Sequence, residues 1–467
     1  MRSVRDFGAV GDGVADDTEA IQHALDQGIN ELHFEPGKYR ITKSIVIDMG
    51  RSGYTSISGS TGTAKIFMDG PGPAFDFQGG HDGSADPERF KETIWAQERM
   101  PLVRNLEIEG RHPEADGIHC RQTMQSTFTG VLLRHLRHGI HLTERARNVL
   151  VSHCHIFDNS GVGVFLDHVN LHQTIITGSH ISYNKLSGIK ILNGEVRNIQ
   201  ITGNDIEYNY DRHVKEGAPP SAEIWIETTG EKATVREGTI ASNTIQARYA
   251  PGGANIRFIS HPEAKLNAGL FAISGNLIGS QETNIDLVHA RGISITGNIL
   301  YSGHQRNLRA TGCRNIAVSG NTIDHNGDYL PRELATGITF EDCTDCTLTG
   351  SIIHDAYAGK HTVSTPAQQE RKGLVELKQC RRMTVSACQI MDPGLPGLYL
   401  EGCSLVNIQG CSILDDHEEP AMPHAILWEG EGSANQISGC TLGKGTDGAI
   451  QAAPEANVKL GDNLEAS

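Results

Sequence analysis

Residues Val196–Asn209 read VRNIQITGNDIEYN, and the core of that stretch, IQITGNDI, returns along most of the chain. It recurs as LFAISGNLI at 270–278, ISITGNIL at 293–300, IAVSGNTI at 316–323 and CTLTGSII at 346–353. Weaker copies precede it (VLVSHCHI at 149–156, TIITGSHI at 174–181), and MTVSACQI, VNIQGCSI and NQISGCTL follow it, ending at Leu442. A second short run stands a few residues ahead of each copy: GIHCR (117–121), GIHLT (139–143), GVFLD (163–167), GIKIL (188–192), EIWIE (223–227), NIRFI (255–259) and NIDLV (284–288). It continues as NLRAT (307–311), GITFE (337–341), LVELK (374–378), GLYLE (397–401) and AILWE (425–429). About twelve copies at a period of roughly 22 to 37 residues define a repeat architecture.

Each unit alternates apolar and polar residues over short runs rich in Ile, Val, Leu and Thr, broken by Gly, Asn or Ser. That period of two belongs to strands. The chain between the runs is too short for a crossover helix. Strands that wind as a coil lie in parallel on their own copies one turn later, about 4.8 Å away. Asn204, Asn243, Asn276, Asn298 and Asn321 fall on one repeat position, where stacked side-chain amides bond up and down the column. Cys388, Cys411 and Cys440 take that position in the last units. The expected fold is all-β, a right-handed parallel β-helix of about twelve coils.

A solenoid lengthens by adding units, so the 467 residues are expected to form one domain: a cap over 1–40, coils over 41–442 and a closing segment over 443–467. Fifty-three glycines and 5% aromatic residues suit tight turns around a narrow aliphatic core. A net charge of −16 without a basic block disfavours nucleic acid or an anionic membrane as partner. Of the ten cysteines, Cys313, Cys343, Cys380 and Cys403 close the second run in successive units. Strand spacing holds such neighbours farther apart than a disulfide's Cβ separation, so they read as small buried side chains. No cysteine set has zinc-ligand spacing; Cys343-x-x-Cys346 stands alone. The start MRSVRDFG carries no apolar leader core, so the chain reads as cytoplasmic as written, or secreted or periplasmic if a leader was removed.

Near the start, Asp16 and Asp17 are N-cap candidates for a helix with Ala20, Ile21 and Ala24 on its apolar face and Gly28 at its end. Such a helix would cover the open end of the coil. The stretch FGAVGDGVADDTEAIQHAL, followed by FEPGKYRI, resembles the opening of the pectate-lyase-like β-helix superfamily. That group includes pectinases, enzymes acting on rhamnogalacturonan and alginate, inulin fructotransferases and phage tailspikes. The resemblance covers the cap and the repeat pattern and implies the fold; the Asp residues of the motif are structural and do not specify a reaction.

The stretch His81–Met100 breaks the strand pattern, and insertions at Tyr210–Ser221, Gly327–Ala335 and Ala356–Lys372 all join the same edge of the Gly-Ile-x-Ile strand. Long loops on a rigid scaffold are where binding concentrates, which points to the outward face of that sheet. With the isoleucines inward, the alternate residues point outward. The first outward position reads His119, His141, Phe165, Lys190, Trp225, Arg257, Asp286 and Arg309 over successive units; the second includes Asp167 and Glu227.

Cleaving a glycosidic bond with water needs one carboxyl to protonate the leaving oxygen and another to activate water or attack carbon. Asp167, Glu223, Glu227 and Asp286 are the catalytic candidates. Trp225, Lys190, Arg257, Arg309, His119 and His141 are the substrate-binding candidates, Trp225 as a stacking surface for a sugar ring. The competing readings are a solvated or salt-bridged role for each acid and rim packing for Trp225. Lyase chemistry would need a base and a cation, which Lys190, Arg257, Arg309, His119 or His141 could supply. No cofactor or metal is expected: Asp286 alone makes no calcium site, and the 22 histidines default to solvent-facing or turn-bonding roles. The resemblance, taken with these carboxylates, implies a carbohydrate-active enzyme, with a glycoside hydrolase acting on an oligo- or polysaccharide as the leading expectation. The alternatives are a lyase, an intramolecular transferase of the inulin fructotransferase kind, or a non-catalytic glycan-binding or tailspike-like protein; a homotrimer stays open.

Overall fold

The computed structural model describes residues 2–83, 88, 90–213, 217, 219–263, 268–326, 337–355 and 370–466. The expected insertion 327–335 lies outside the described residues, as do 356–369, 214–216 and 218 of the other two, and 84–87 and 89 of the stretch 81–100. Contacts group the chain into two compact units, one of Met1–Val214 with Ser221–Thr239 and one of Lys215–Pro220 with Ile240–Ser467.

In the first unit the helix Thr18–Asp26 buries Ile21, Ala24 and Leu25. The Asp16 carboxylate, not that of Asp17, bonds its first turn, accepting from the Thr18 backbone N–H at 3.1 Å and the Thr18 hydroxyl at 2.5 Å. Asp17 turns back instead and accepts the N–H groups of Val10 and Gly11, which closes the glycine-rich loop. Coiling begins inside the expected cap, because Glu31–Phe34 already pairs in parallel with Ser56–Gly59. Thereafter each strand pairs in parallel with its copy one turn on: Ile118–Arg121 on Ile140–Thr143, those on Val164–Asp167, and those on Ile189–Leu192. The repeated isoleucines, among them Ile189, Ile191, Ile224 and Ile226, have no exposed surface. All-β, parallel and in register, this is the β-helix that the repeat requires.

The second unit continues the pattern. Thr283–Val288 pairs with Arg306–Thr311, and Ile338–Glu341 with Val375–Lys378. The asparagine column is formed here: Asn243 Nδ2 donates to Asn276 Oδ1 at 3.0 Å, Asn276 to Asn298 at 2.9 Å, and Asn298 to Asn321 at 3.0 Å. Each rung hydrogen-bonds the next, and every member is buried. All ten cysteines are buried and unbridged, and thiols of the stacked ones turn to backbone carbonyls, such as Thr311 O for Cys313 and Ser386 O for Cys388. The tail from Gly443 keeps the repeat for a further round. Ile450–Ala452, Val458–Leu460 and Leu464–Ala466 pair in parallel with Ile426–Trp428, Asn435–Ile437 and Thr441–Gly443.

A second asparagine column explains the glycine of the Gly-Ile-x-Ile strand. Asn159 Nδ2 donates to Asn184 Oδ1, and Asn184 Nδ2 to Asn209 Oδ1, both at 2.7 Å. These amides come from the turn before the strand and lie against its first residue. A Cβ on Gly163 would stand 2.9 Å from Asn184 Nδ2, and one on Gly188 2.8 Å from Asn209 Nδ2. Glycine is required there to admit the column. In the second unit the strand's first residue is itself the asparagine: Asn255 donates to Asn284 at 2.8 Å and Asn284 to Asn307 at 2.6 Å.

Candidate functional site

On the first unit's outward face, register places Asp76, His119, His141, Phe165, Lys190 and Trp225 in one row. Gln78, Arg121, Thr143, Asp167, Leu192 and Glu227 form the next. His119 bridges the rows, with Nδ1 2.7 Å from Asp76 Oδ1 and Nε2 2.9 Å from Thr143 Oγ1. Burial raises the Asp76 pKa, but hydrogen bonds from His119 and Gln78 and the positive charges nearby outweigh it and hold the carboxyl below its ordinary range. His141 stacks on Phe165 with ring centres 5.0 Å apart, and its Nε2 lies 3.2 Å from Asp167 Oδ2. Burial lowers the His141 pKa in spite of Asp167, which favours the neutral ring, whose Nε2–H donates a hydrogen bond to that carboxylate. His168 Nδ1 holds the other Asp167 oxygen at 2.6 Å.

His138 completes this cluster, with ring centres 5.1 Å from Phe165 and 5.3 Å from His141. Its Nδ1 accepts the Val162 N–H at 3.1 Å, and burial takes its pKa down to about 4. Farther along, Lys190 Nζ sits 3.7 Å over the Trp225 ring and 3.5 Å from Glu227 Oε2. Trp225 is therefore covered, with 6% of its surface exposed, and presents no open stacking face.

Glu223 is not on this surface. Its side chain is fully buried, and it ends the turn-borne asparagine column, accepting from Asn209 N at 2.8 Å and from Asn209 Nδ2. Burial drives its pKa well above the usual carboxylate range, against the pull of those two bonds. Strand alternation put Glu223 outward with Trp225 and Glu227; the preceding turn folds over it.

On the second unit's face, Arg257, Asp286 and Arg309 are in register as expected. Arg257 Nε donates to Asp286 Oδ2 at 3.1 Å, and Arg309 donates to both carboxylate oxygens at 3.0 and 3.1 Å. Arg257 also bonds Gly252 O at 2.8 Å. The Asp286 side chain is 4% exposed, so its oxygens are committed to two guanidinium groups. Three rungs on from Asp286, the same holds for Glu376, which is buried and receives Thr339 Oγ1 at 2.8 Å, Arg306 at 3.1 Å and the Lys372 N–H at 2.7 Å. Of the four candidate acids, Asp167 and Glu227 alone keep substantial side-chain exposure, 27% and 21%.

Sequence reasoning passed over Asp76 and His138. Asp76 lies in GPAFDFQ, an early and irregular coil; aligning its Phe-Asp-Phe with Ile-His-Cys of the next unit would have set it opposite His119. His138 lies ahead of the periodic strand, where alternation makes no statement.

With the geometry in view, two family descriptions match this chain. "Right handed beta helix region" matches residues 91–240, and "Rhamnogalacturonase A/epimerase, pectate lyase-like" matches residues 1–67. Over those residues the chain is similar to pectate-lyase-like proteins and to right-handed β-helices. A glucan 1,3-beta-glucosidase from Cochliobolus carbonum is 34% identical over 96 residues, which are 20% of this chain and 12% of that protein. Among solved structures, the pre-mature gene product 12 of bacteriophage phi29 aligns at a TM-score of 0.50 with 12% identity, covering 97% of this chain and 56% of its own. The A-module of the Azotobacter vinelandii mannuronan C-5 epimerase AlgE6 aligns at 0.37 with 14% identity, over the whole of both chains. At these identities the structural likenesses concern the fold.

Proposed function

We propose that this protein is a carbohydrate-active enzyme that cleaves glycosidic bonds by hydrolysis, with Asp167 and Glu227 as its carboxylate pair. The supporting observation is that these two acids remain accessible on the first unit's outward face while Glu223 and Asp286 are sequestered. The match to a glucan 1,3-beta-glucosidase favours a glycan as substrate. Asp167, Leu192 and Glu227 lie on successive paired strands, so the two acids are about 9.6 Å apart at the backbone. Side chains leaning together bring that into the ~6.5–9.5 Å that leaves room for a water between acid and base. One carboxyl protonates the glycosidic oxygen as the bond to the anomeric carbon breaks; the other takes a proton from the water that attacks that carbon. Lys190 gives Glu227 a cationic neighbour, which suits the base.

A second reading has its own support. His141, bonded to Asp167 and two rungs from Lys190 in the same row, is a base on one face with a cation, the pairing that removal of a proton beside a carboxylate requires. That would make the protein a lyase or another non-hydrolytic enzyme. Mass spectrometry of products from neutral and acidic glycans tests both. Products carrying an added water support hydrolysis; unsaturated or anhydro products overturn it in favour of the second reading. Glycan binding without turnover would leave a tailspike-like binding protein.

A further inference from the structure

At the end of the second unit's short strands Thr322–Asp324 and Ile352–His354, away from any residue named above as catalytic or binding, three ligand-type side chains converge. Asp324 Oδ1 lies 3.2 Å from His325 Nδ1 and 3.2 Å from His354 Nδ1, and all three atoms lie within 4.8 Å of one another. His354 Nε2 is 3.1 Å from Asp392 Oδ2, and Asp392 is itself held by the Asp416 N–H on its other oxygen at 3.0 Å. From this geometry we infer that Asp324, His325 and His354 bind a divalent transition-metal ion of the zinc type.

Three features carry the inference. First, tetrahedral zinc with bonds of 2.0–2.1 Å sets its ligand atoms about 3.3 Å apart, close to the two 3.2 Å separations found. Second, the backing of His354 by Asp392 is the carboxylate–histidine–metal arrangement: the carboxylate accepts the Nε2–H hydrogen bond, fixes the tautomer and leaves the Nδ1 lone pair facing Asp324. Third, His325 Nδ1 is shielded from solvent and has no hydrogen-bond partner among the described residues, although Asp324 Oδ1 is near. A proton shared between His354 and Asp324 would satisfy that pair alone; a metal ion satisfies all three atoms. Two nitrogens and one carboxylate oxygen suit zinc, cobalt(II) or nickel(II) over calcium or magnesium. Asp324 and His354 sit on adjacent rungs, so the ion would clamp one coil to the next. A neighbouring trio, Asp392, Asp415 and His417, is more fully committed: Asp415 Oδ2 accepts the Ala421 and Met422 N–H groups and its Oδ1 the His417 N–H and ring, whereas Asp324 Oδ1 accepts one backbone N–H, that of His325, at 2.8 Å.

The test is calorimetric titration of the chelator-stripped full chain with Zn²⁺, repeated with Co²⁺ followed by visible absorption. The expected result is one ion per chain in this trio and the intense absorption of four-coordinate cobalt. His325→Gln, at a ring whose Nδ1 has no hydrogen-bond partner among the described residues, should lose that absorption while far-UV circular dichroism stays unchanged. Asp324→Asn and His354→Gln should abolish the site, and Asp392→Asn should weaken it by about 10- to 100-fold. Absence of binding by the parent chain overturns the inference. So does binding that His325→Gln and Asp324→Asn leave intact, or that His417→Gln removes instead.

Discussion

The outward faces of the two units carry their acids at neighbouring strand positions and use them to opposite ends. On the first, Asp167 and Glu227 are held by histidines and one lysine and stay partly open. On the second, Asp286 and Glu376 stand beside two arginines and one arginine with Thr339, and their oxygens are enclosed. An arginine on the next rung reaches a carboxylate with two parallel donors and closes it off; a histidine satisfies one oxygen and leaves the rest available. In a stacked sheet, what an acid can do is decided by its neighbours one rung up and down.

Four experiments would break or sharpen that contrast. The largest effect is expected at the open acids, where Glu227→Gln or Asp167→Asn should lower turnover by about 10²- to 10⁴-fold with little change in unfolding midpoint. Next, Asp286→Ala takes the carboxylate from the buried Arg257 and the part-exposed Arg309 and should cost about 3 kcal/mol in denaturant titration; a loss of activity without a loss of stability would reverse these roles. A smaller cost, about 1–3 kcal/mol, is expected for Asn276→Ala, which leaves amide partners unmet on both sides of its rung. The smallest effect concerns pH. The pKa of His138 is depressed to about 4, so the stability tied to its neutral form is present above the unfolded value of ~6.5 and falls as pH drops from there toward 4. His138→Phe should flatten the stability profile across that window, and an unchanged slope would show that the ring is not held neutral by burial.

The coil, its strand phase and the asparagine column of Asn243, Asn276, Asn298 and Asn321 were legible in the sequence, because a repeat shows the same residue at the same position many times. Register was legible too: Arg257, Asp286 and Arg309 meet as their alignment said. What alternation could not express was cover. Glu223 has the parity of an outward residue and is enclosed by the turn that carries Asn209, and Trp225 has the same parity and lies under Lys190. Single departures from the repeat, such as Asp76 and His138, left no periodic trace, and pairs such as His354 with Asp392 depend on side-chain reach across rungs.

The two ways of seating an asparagine amide at the strand's start have a consequence for how such a chain can lengthen. A coil of the Gly163 or Gly188 kind receives its amide from the turn, whereas a coil of the Asn255 or Asn284 kind brings its own. Tandem duplication within either kind inserts a compatible neighbour. Shuffling a coil of one kind into a run of the other leaves either two amides competing for one slot or an empty slot beside a glycine. Length in this chain is thus free to vary only within each dialect, and a splice between them needs an adaptor of the sort that Glu223 provides for Asn209.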